Sequence, residues 1–260
     1  MKNQLFAVLL GLALSACGGG GGEGEEEEMN PPPAPSEPAP PPVNPETAGA
    51  ITGKVTLEGK APTQEAIQMG ADPVCAKMHS EPVKTEFVVT GEGGTLQNVF
   101  VYVKDGLGGR KFPTPEEAVT IDQQGCRYHP HVFGMMVGQP LEIVNSDPTL
   151  HNIHAMPEKN KPFNIGQPVQ GLKTKRSFQV PEVMVPFKCD VHKWMNAYAG
   201  VLDHPYYSVT DDSGSFEIKN LPPGDYVIEA WQEKYGTQTQ NVTVGEKETK
   251  EINFSFKATD

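Results

Sequence analysis

The sequence predicts an all-β protein: β-sandwiches behind a disordered tether. Three observations carry that expectation. Glycine (27) and proline (25) make up a fifth of the 260 residues, which excludes an all-helical chain. From residue 51 onward, short apolar runs alternate with polar residues and are separated by Gly, Pro, Asn and Asp. Helical periodicity is nearly absent, with short helical turns at most over 63–69 and 115–118.

The N-terminus comes first. Lys2 precedes an apolar run over 5–14, the pattern of a signal peptide too short to span a bilayer. Its ending, Leu14-Ser15-Ala16-Cys17, resembles a bacterial lipobox. That resemblance implies a signal peptide over 1–17, lipid on Cys17 and a place in the bacterial cell envelope. Gly18 points to the outer membrane by resemblance to lipoprotein sorting in enteric bacteria. An ordinary cleaved signal or an N-terminal strand is the other reading.

Residues 18–49 hold a glycine run, a glutamate run and nine prolines between Pro31 and Pro45, none of which can bury a core. Stretched, this segment reaches about 100 Å, so it reads as a tether holding a folded body away from a membrane. The net charge of −12 argues against a nucleic-acid partner, and seven of the acids belong to the tether.

The body follows as strands over 51–57, 86–90, 99–104, 141–144, 177–180, 216–218, 226–230, 241–244 and 252–256. Near the end, 212–214 reads as a hairpin turn, and Pro222-Pro223-Gly224 as a tight turn with positive φ at the glycine. Phe216 and Ile218 share one strand face, and Tyr226, Ile228 and Ala230 line the next. The stretch 209–230 resembles the carboxypeptidase regulatory-like (transthyretin-like) sandwich, and 53–62 with 98–103 resembles its first strands. The resemblance implies a split sandwich over 51–105 and 205–256 that carries an insert at 106–204.

The insert concentrates the chemistry. Cys189, His192 and Met195 stand at C-x2-H-x2-M spacing, and His151 lies 38 residues before the cysteine. One thiolate, two imidazoles and a weak axial thioether suit copper in both oxidation states. Zinc is the competitor, although it gains little from methionine. Several further features accompany the spacing: Asn145-Ser146-Asp147 ahead of His151, the pair His151-Asn152, Phe187 two before the cysteine, and the approach 128–145. Together these resemble the cupredoxins, the amicyanin type above all.

The resemblance implies a Greek-key sandwich and one type 1 copper site, with His151, Cys189 and His192 equatorial and Met195 axial. It also implies that Asn152 ties the two ligand loops together near the thiolate. Lys193 and Trp194 depart from the family's usual proline and phenylalanine; Trp194 is expected to shield the metal, and His192 to form the partly exposed edge for electron passage. The string 189–198 with 204–211 further resembles bacterial envelope proteins of the methylamine-utilisation, plastocyanin-like group, which join both modules.

Other histidines rank lower. His129, His131 and His154 are candidates for a second metal, while His79 and His204 read as packing or surface residues. Cys75 and Cys126 remain after lipid and metal are assigned, and in an oxidising envelope they read as one disulfide, with two separate thiols as the other reading. The expected function is a lipid-anchored one-electron carrier that meets redox partner proteins in the periplasm. Copper delivery without electron transfer, and a structural or carbohydrate-binding envelope module, are the alternatives. An enzyme is not expected, since a site of this type leaves no open position for substrate.

Overall fold

The computed structural model describes residues 42–258. The signal segment 1–17, Cys17 and most of the tether lie outside the described residues.

The chain runs through β1 (Gly49–Glu58), one short helix α1 (Pro73–Lys77), β2 (Phe100–Asp105), β3 (Val119–Gln124), β4 (Arg127–His129), β5 (Val132–Met136) and β6 (Leu141–Asn145). It continues through β7 (His151–Ala155), β8 (Phe163–Gln167), β9 (Lys173–Arg176), β10 (Glu182–Lys188) and β11 (Asn196–Leu202). Last come β12 (Tyr207–Val209), β13 (Ser215–Leu221), β14 (Gly224–Gln232), β15 (Gly236–Val244), β16 (Thr249–Glu251) and β17 (Phe254–Lys257). The fold is all-β apart from α1 and two 3-10 turns among the described residues. No helix among them is long and apolar enough to cross a membrane.

Four sheets make two sandwiches. The first pairs a sheet ordered β13-β1-β16, with β17 also on β1, against a sheet ordered β12-β2-β14-β15. Their inward faces share one core, to which β1 gives Ile51 and Val55, β2 gives Val101 and Val103, and β14 gives Ile228 and Ala230. The second sandwich sets β5-β11-β10-β7-β8 against β4-β3-β6-β9. Its core holds Ile121, Phe133, Ile143, Ile153, Phe187 and Val201, and it extends to Cys75, Cys126, Cys189 and Met195. Met69 and Cys75 thus pack in the second core, although the sequence placed 51–105 with the first.

The joint between the sandwiches explains why Phe100-Val101-Tyr102-Val103 is buried on both faces. Successive side chains of a strand point to opposite sides. Val101 and Val103 therefore enter the first core, while Phe100 and Tyr102 turn outward into a third cluster with Val132, Met184 and Leu202. Across the joint, Gly134 of β5 and Gly200 of β11 are register partners. A β-carbon on Gly200 would fall 2.2 Å from Phe100 Cζ, and one on Gly134 would fall 2.2 Å from Tyr207 Cε2. The glycine pair makes a dent, and the Phe100 and Tyr207 rings stack 5.5 Å apart within this contact.

Several expected elements differ for local reasons. Residues 86–90 form no strand: Phe87 and Val88 give their carbonyls to the amides of Gln232 and Gln64 instead of a neighbouring ladder. Residues 177–180 likewise form no strand, because Asn160 Oδ1 takes the N–H groups of Gln179 and Val180. The strand there is the preceding polar run, β9, which pairs with β6. Residues 115–118 are not helical, and of 63–69 only Met69 enters a 3-10 turn, Met69–Ala71; the one α-helix among the described residues, α1, begins at Pro73 behind an Asp72 N-cap. Positive φ at the 222–224 turn falls on Asn220 (56°) and not on Gly224. Asn is one of the few non-glycine residues that tolerate that region.

Candidate metal centre

Strand pairing brings the ligand segments together. In the antiparallel β7–β10 pair, Lys188 stands opposite His154 and Phe187 opposite Ala155. The chain leaving β10 therefore runs back along the start of β7, where His151 sits. The loop 189–195 closes tightly: Cys189 N–H donates to the Met195 carbonyl (3.1 Å) and Met195 N–H to the His192 carbonyl (2.9 Å). Asn152 fastens the two segments. Its Oδ1 accepts the N–H groups of Asp190 (2.7 Å) and Val191 (3.3 Å), and the Cys189 thiol lies 3.3 Å from the same oxygen.

Ligand-type atoms of His151, Cys189 and His192 lie within 4.8 Å of one another, and all three residues are buried. The two imidazoles meet Nδ1 to Nδ1 at 2.9 Å. Their outer nitrogens are both held by carboxylates: His151 Nε2 by Asp147 Oδ2 (2.8 Å) and His192 Nε2 by Asp72 Oδ2 (2.9 Å). A carboxylate accepts only, so each Nε2 carries the proton and each Nδ1 presents a lone pair inward. At 2.9 Å the two Nδ1 atoms need a positive centre between them, which a shared proton or a metal cation beside the Cys189 sulfur supplies. The donor set therefore fits a soft or borderline metal ion, and carboxylate-held histidines are a recurrent metal-site device.

The surrounding groups favour positive charge at this point, whether a proton or a metal ion brings it. Burial pushes the Cys189 thiol up, but His151 and the backbone N–H groups around it pull it further down, below its ordinary value. Burial pushes His151 down, and Asp147 and Cys189 together lift it above the ordinary imidazole value. Asp147 and Asp72 are each raised by burial and lowered more by the histidine and N–H groups they hold, so both end below the usual carboxylate range. Tyr128 is raised by burial and by the neighbouring charges of Cys189 and Asp190, and donates its hydroxyl to the Asn152 carbonyl.

Met195 is buried in the same core as Cys189, and Trp194 packs against it. The Trp194 ring lies 5.0 Å from that of His192, and its Nε1–H donates to the Cys126 carbonyl (2.9 Å). Cys75 and Cys126 form a disulfide across 51 residues of chain, with Cα atoms 5.6 Å apart. One expectation fails here. His192 is 3% exposed and forms no open edge. Asp72, Cys75 and Trp194 cover it, because the turn at Met69–Ala71 and α1 are drawn onto the loop by the disulfide.

Asp72 and Asp147 are the residues that sequence reasoning missed. Asp147 had a signal, the Asn-x-Asp turn four residues before His151. Asp72 showed only a helix-start pattern, Asp-Pro, 120 residues before the histidine it holds. The other histidines sit elsewhere. His154 faces away from His151 and pairs with Asp190 (3.0 Å), and His131 pairs with Glu233 (2.7 Å). His79 contacts the Gly125 carbonyl, and His204 is buried. His129 belongs to none of the metal-type groupings among the described residues.

Residues 199–257 match the carboxypeptidase regulatory-like domain family. No curated protein matches the chain in sequence. Among solved structures, a Cu-containing nitrite reductase from Thermus scotoductus SA-01 is similar at 23% identity and a TM-score of 0.32, covering 37% of this chain. The chain spans only 24% of that reductase's length. A purple cupredoxin from Nitrosopumilus maritimus is similar at 20% identity and a TM-score of 0.28, over 32% of this chain and 98% of its own. A Cu(I) amicyanin with a methionine-to-glutamine substitution is similar at 14% identity and a TM-score of 0.30, over 39% of this chain and 97% of its own. The class defined is thus an all-β chain with a buried cysteine–histidine cluster. This particular chain joins similarity to cupredoxins to a regulatory-like stretch at its C-terminal end.

Proposed function

We propose that this chain is a type 1 copper protein that carries single electrons, anchored by lipid on Cys17 in a bacterial cell envelope. One observation carries the reading: two inward Nδ1 lone pairs and the Cys189 sulfur converge on a single buried point. His151, Cys189 and His192 would hold the ion, with Met195 as the weak axial ligand. Bound copper supplies a one-electron couple. Asp147 and Asp72 keep each imidazole in the Nε2–H form and aimed inward, and Asn152 holds the ligand loop against β7. Trp194 and the apolar core exclude water.

Within this reading, the split sandwich (51–105 and 205–256) is the frame for the copper-binding insert (106–204), except that Met69, Asp72 and Cys75 serve the insert, and the tether gives the unit reach between donor and acceptor. No substrate-converting step is assigned to it. Exposed Leu150 and Val191 neighbour the ligands in sequence and suit brief apolar contact with a redox partner. The test is a copper titration with visible spectroscopy. One equivalent and an intense thiolate-to-copper band are expected, and both are lost in Cys189→Ser. A band that survives that substitution ends the assignment.

A second reading, copper delivery, calls for fast release from a more open site, and the cover over His192, which is 3% exposed, weighs against it. Voltammetry separates the two. An electron carrier gives a reversible wave with copper retained, whereas a delivery protein surrenders its copper to an acceptor.

A further inference from the structure

Two sulfur atoms that the copper reading leaves unused lie against its two histidines. Cys75 Sγ is 3.6 Å from His192 Nε2. Cys75 Sγ, an Asp72 oxygen and a His192 nitrogen fall within 4.8 Å of one another, as do Cys126 Sγ, an Asp147 oxygen and a His151 nitrogen. Both sulfurs are fully buried.

The two cysteines are held differently. Cys126 is fixed by its backbone: its N–H donates to Asp147 Oδ2 (2.7 Å) and its carbonyl accepts from Trp194 (2.9 Å). Its φ of 55° lies in the left-handed region, where a side chain is disfavoured and persists only when its surroundings impose it. None of these bonds depends on the sulfur link. Cys75 rides on α1, a single turn whose other side chains at Val74, Ala76 and Lys77 are exposed, so it belongs to the readily opened part of the fold.

We propose that Cys75 and Cys126, in their dithiol form, make a second site that takes one Cu(I), beside the His151–Cys189–His192 centre and distinct from it. A dithiol reductant supplies two electrons and two protons: the Cys75–Cys126 S–S bond breaks, two S–H bonds form, and the reductant closes its own disulfide. Cu(I) then displaces both protons to solvent and gains two sulfur bonds. Soft thiolates select Cu(I), and the two of them more than balance its single charge. The proposal goes beyond the electron-carrier reading and does not need that reading to hold.

The test is an anaerobic Cu(I) titration of the full chain against a colorimetric Cu(I) chelator, before and after dithiothreitol. Alkylation mapping reports the thiol state of Cys75, Cys126 and Cys189. Oxidised protein is expected to hold one equivalent and reduced protein two. Cys189→Ser is expected to hold none when oxidised and one when reduced. Cys75→Ser/Cys126→Ser is expected to hold one throughout. The proposal is overturned if reduction adds no equivalent to wild type, if reduced Cys189→Ser binds none, or if dithiothreitol leaves Cys189 as the sole alkylated residue of the three. An oxidised wild type without copper, beside a reduced Cys189→Ser that binds one, sinks the electron-carrier reading alone. The wild-type comparison needs no variant, so it stands even where the double substitution folds poorly.

Discussion

Replacing Gly200 by alanine tests how the two sandwiches are joined. The new methyl would stand 2.2, 2.5 and 2.7 Å from Phe100 Cζ, Cε1 and Cε2, where ordinary contact begins near 3.4 Å. The ring would have to retreat by about 1.2 Å. Phe100 is fully buried and has Tyr102 and Tyr207 each 5.5 Å away, so retreat moves the neighbours too. Overpacking of this kind costs about 1–3 kcal/mol. The reduced freedom of the unfolded chain returns about 0.4–1 kcal/mol, leaving a net loss of roughly 1–2 kcal/mol. For a body of this size that is a fall in Tm of roughly 2–8 °C.

Urea unfolding followed by tryptophan emission is the assay, because Trp231 packs in the joint. Gly166→Ala is the control: that glycine, in β8, has nothing within 4 Å of a built β-carbon and no positive φ. The reasoning fails if Gly200→Ala is no worse than Gly166→Ala. It also fails if Phe100→Leu, which removes the obstructing ring, does not shrink the effect of the alanine.

Three further outcomes follow from named contacts. The Cys75→Ala/Cys126→Ala double variant, which opens a bridge spanning 51 residues, is expected to lose about 4 kcal/mol of unfolding free energy in the chain-entropy account; denaturant melts that agree within 1 kcal/mol refute that account here. Asp147→Asn and Asp72→Asn are each expected to weaken copper binding about 10–100-fold, as outer partners of metal-bound histidines do, and competition with a chelator of known affinity reads this directly. Glu182 is the pH case. Burial pushes its carboxyl up, but the Asn160 amide and the N–H groups of Glu158, Asn160 and Lys159 pull it below its ordinary 4.5. Its contribution is therefore whole above that value and lost as pH falls through the lowered one. Melts of Glu182→Gln against wild type should differ by about 1–3 kcal/mol at neutral pH and converge in acid, and a gap that widens on acidification contradicts the assignment.

What could be read from the sequence, and what could not, divides along physical lines. Strand alternation is local, so β1, β13 and β14 were legible, and the C-x2-H-x2-M spacing marked the Cys189 and His192 that the fold brings beside His151. His151 was legible because a histidine-asparagine pair after an Asn-x-Asp turn carries its own pattern. The false strands at 86–90 and 177–180 have β-type composition, but distant side-chain amides from Gln64, Gln232 and Asn160 satisfy part of their backbone. No local pattern reveals such partners. Asp72 was hidden for the same reason, and with it the closure over His192. The one cysteine pair whose bridging was expected is the very contact that draws that cover into place.

The ladder partners of β1 have a consequence for the order in which the chain is completed. β1 bonds to β13, β16 and β17, all of which are made after the whole insert. An N-to-C emerging polypeptide can finish the inner sandwich while β1 still shows bare edges to its surroundings. That strand is sealed only when the final residues arrive, so a chain truncated near its end exposes a sticky ribbon at its beginning.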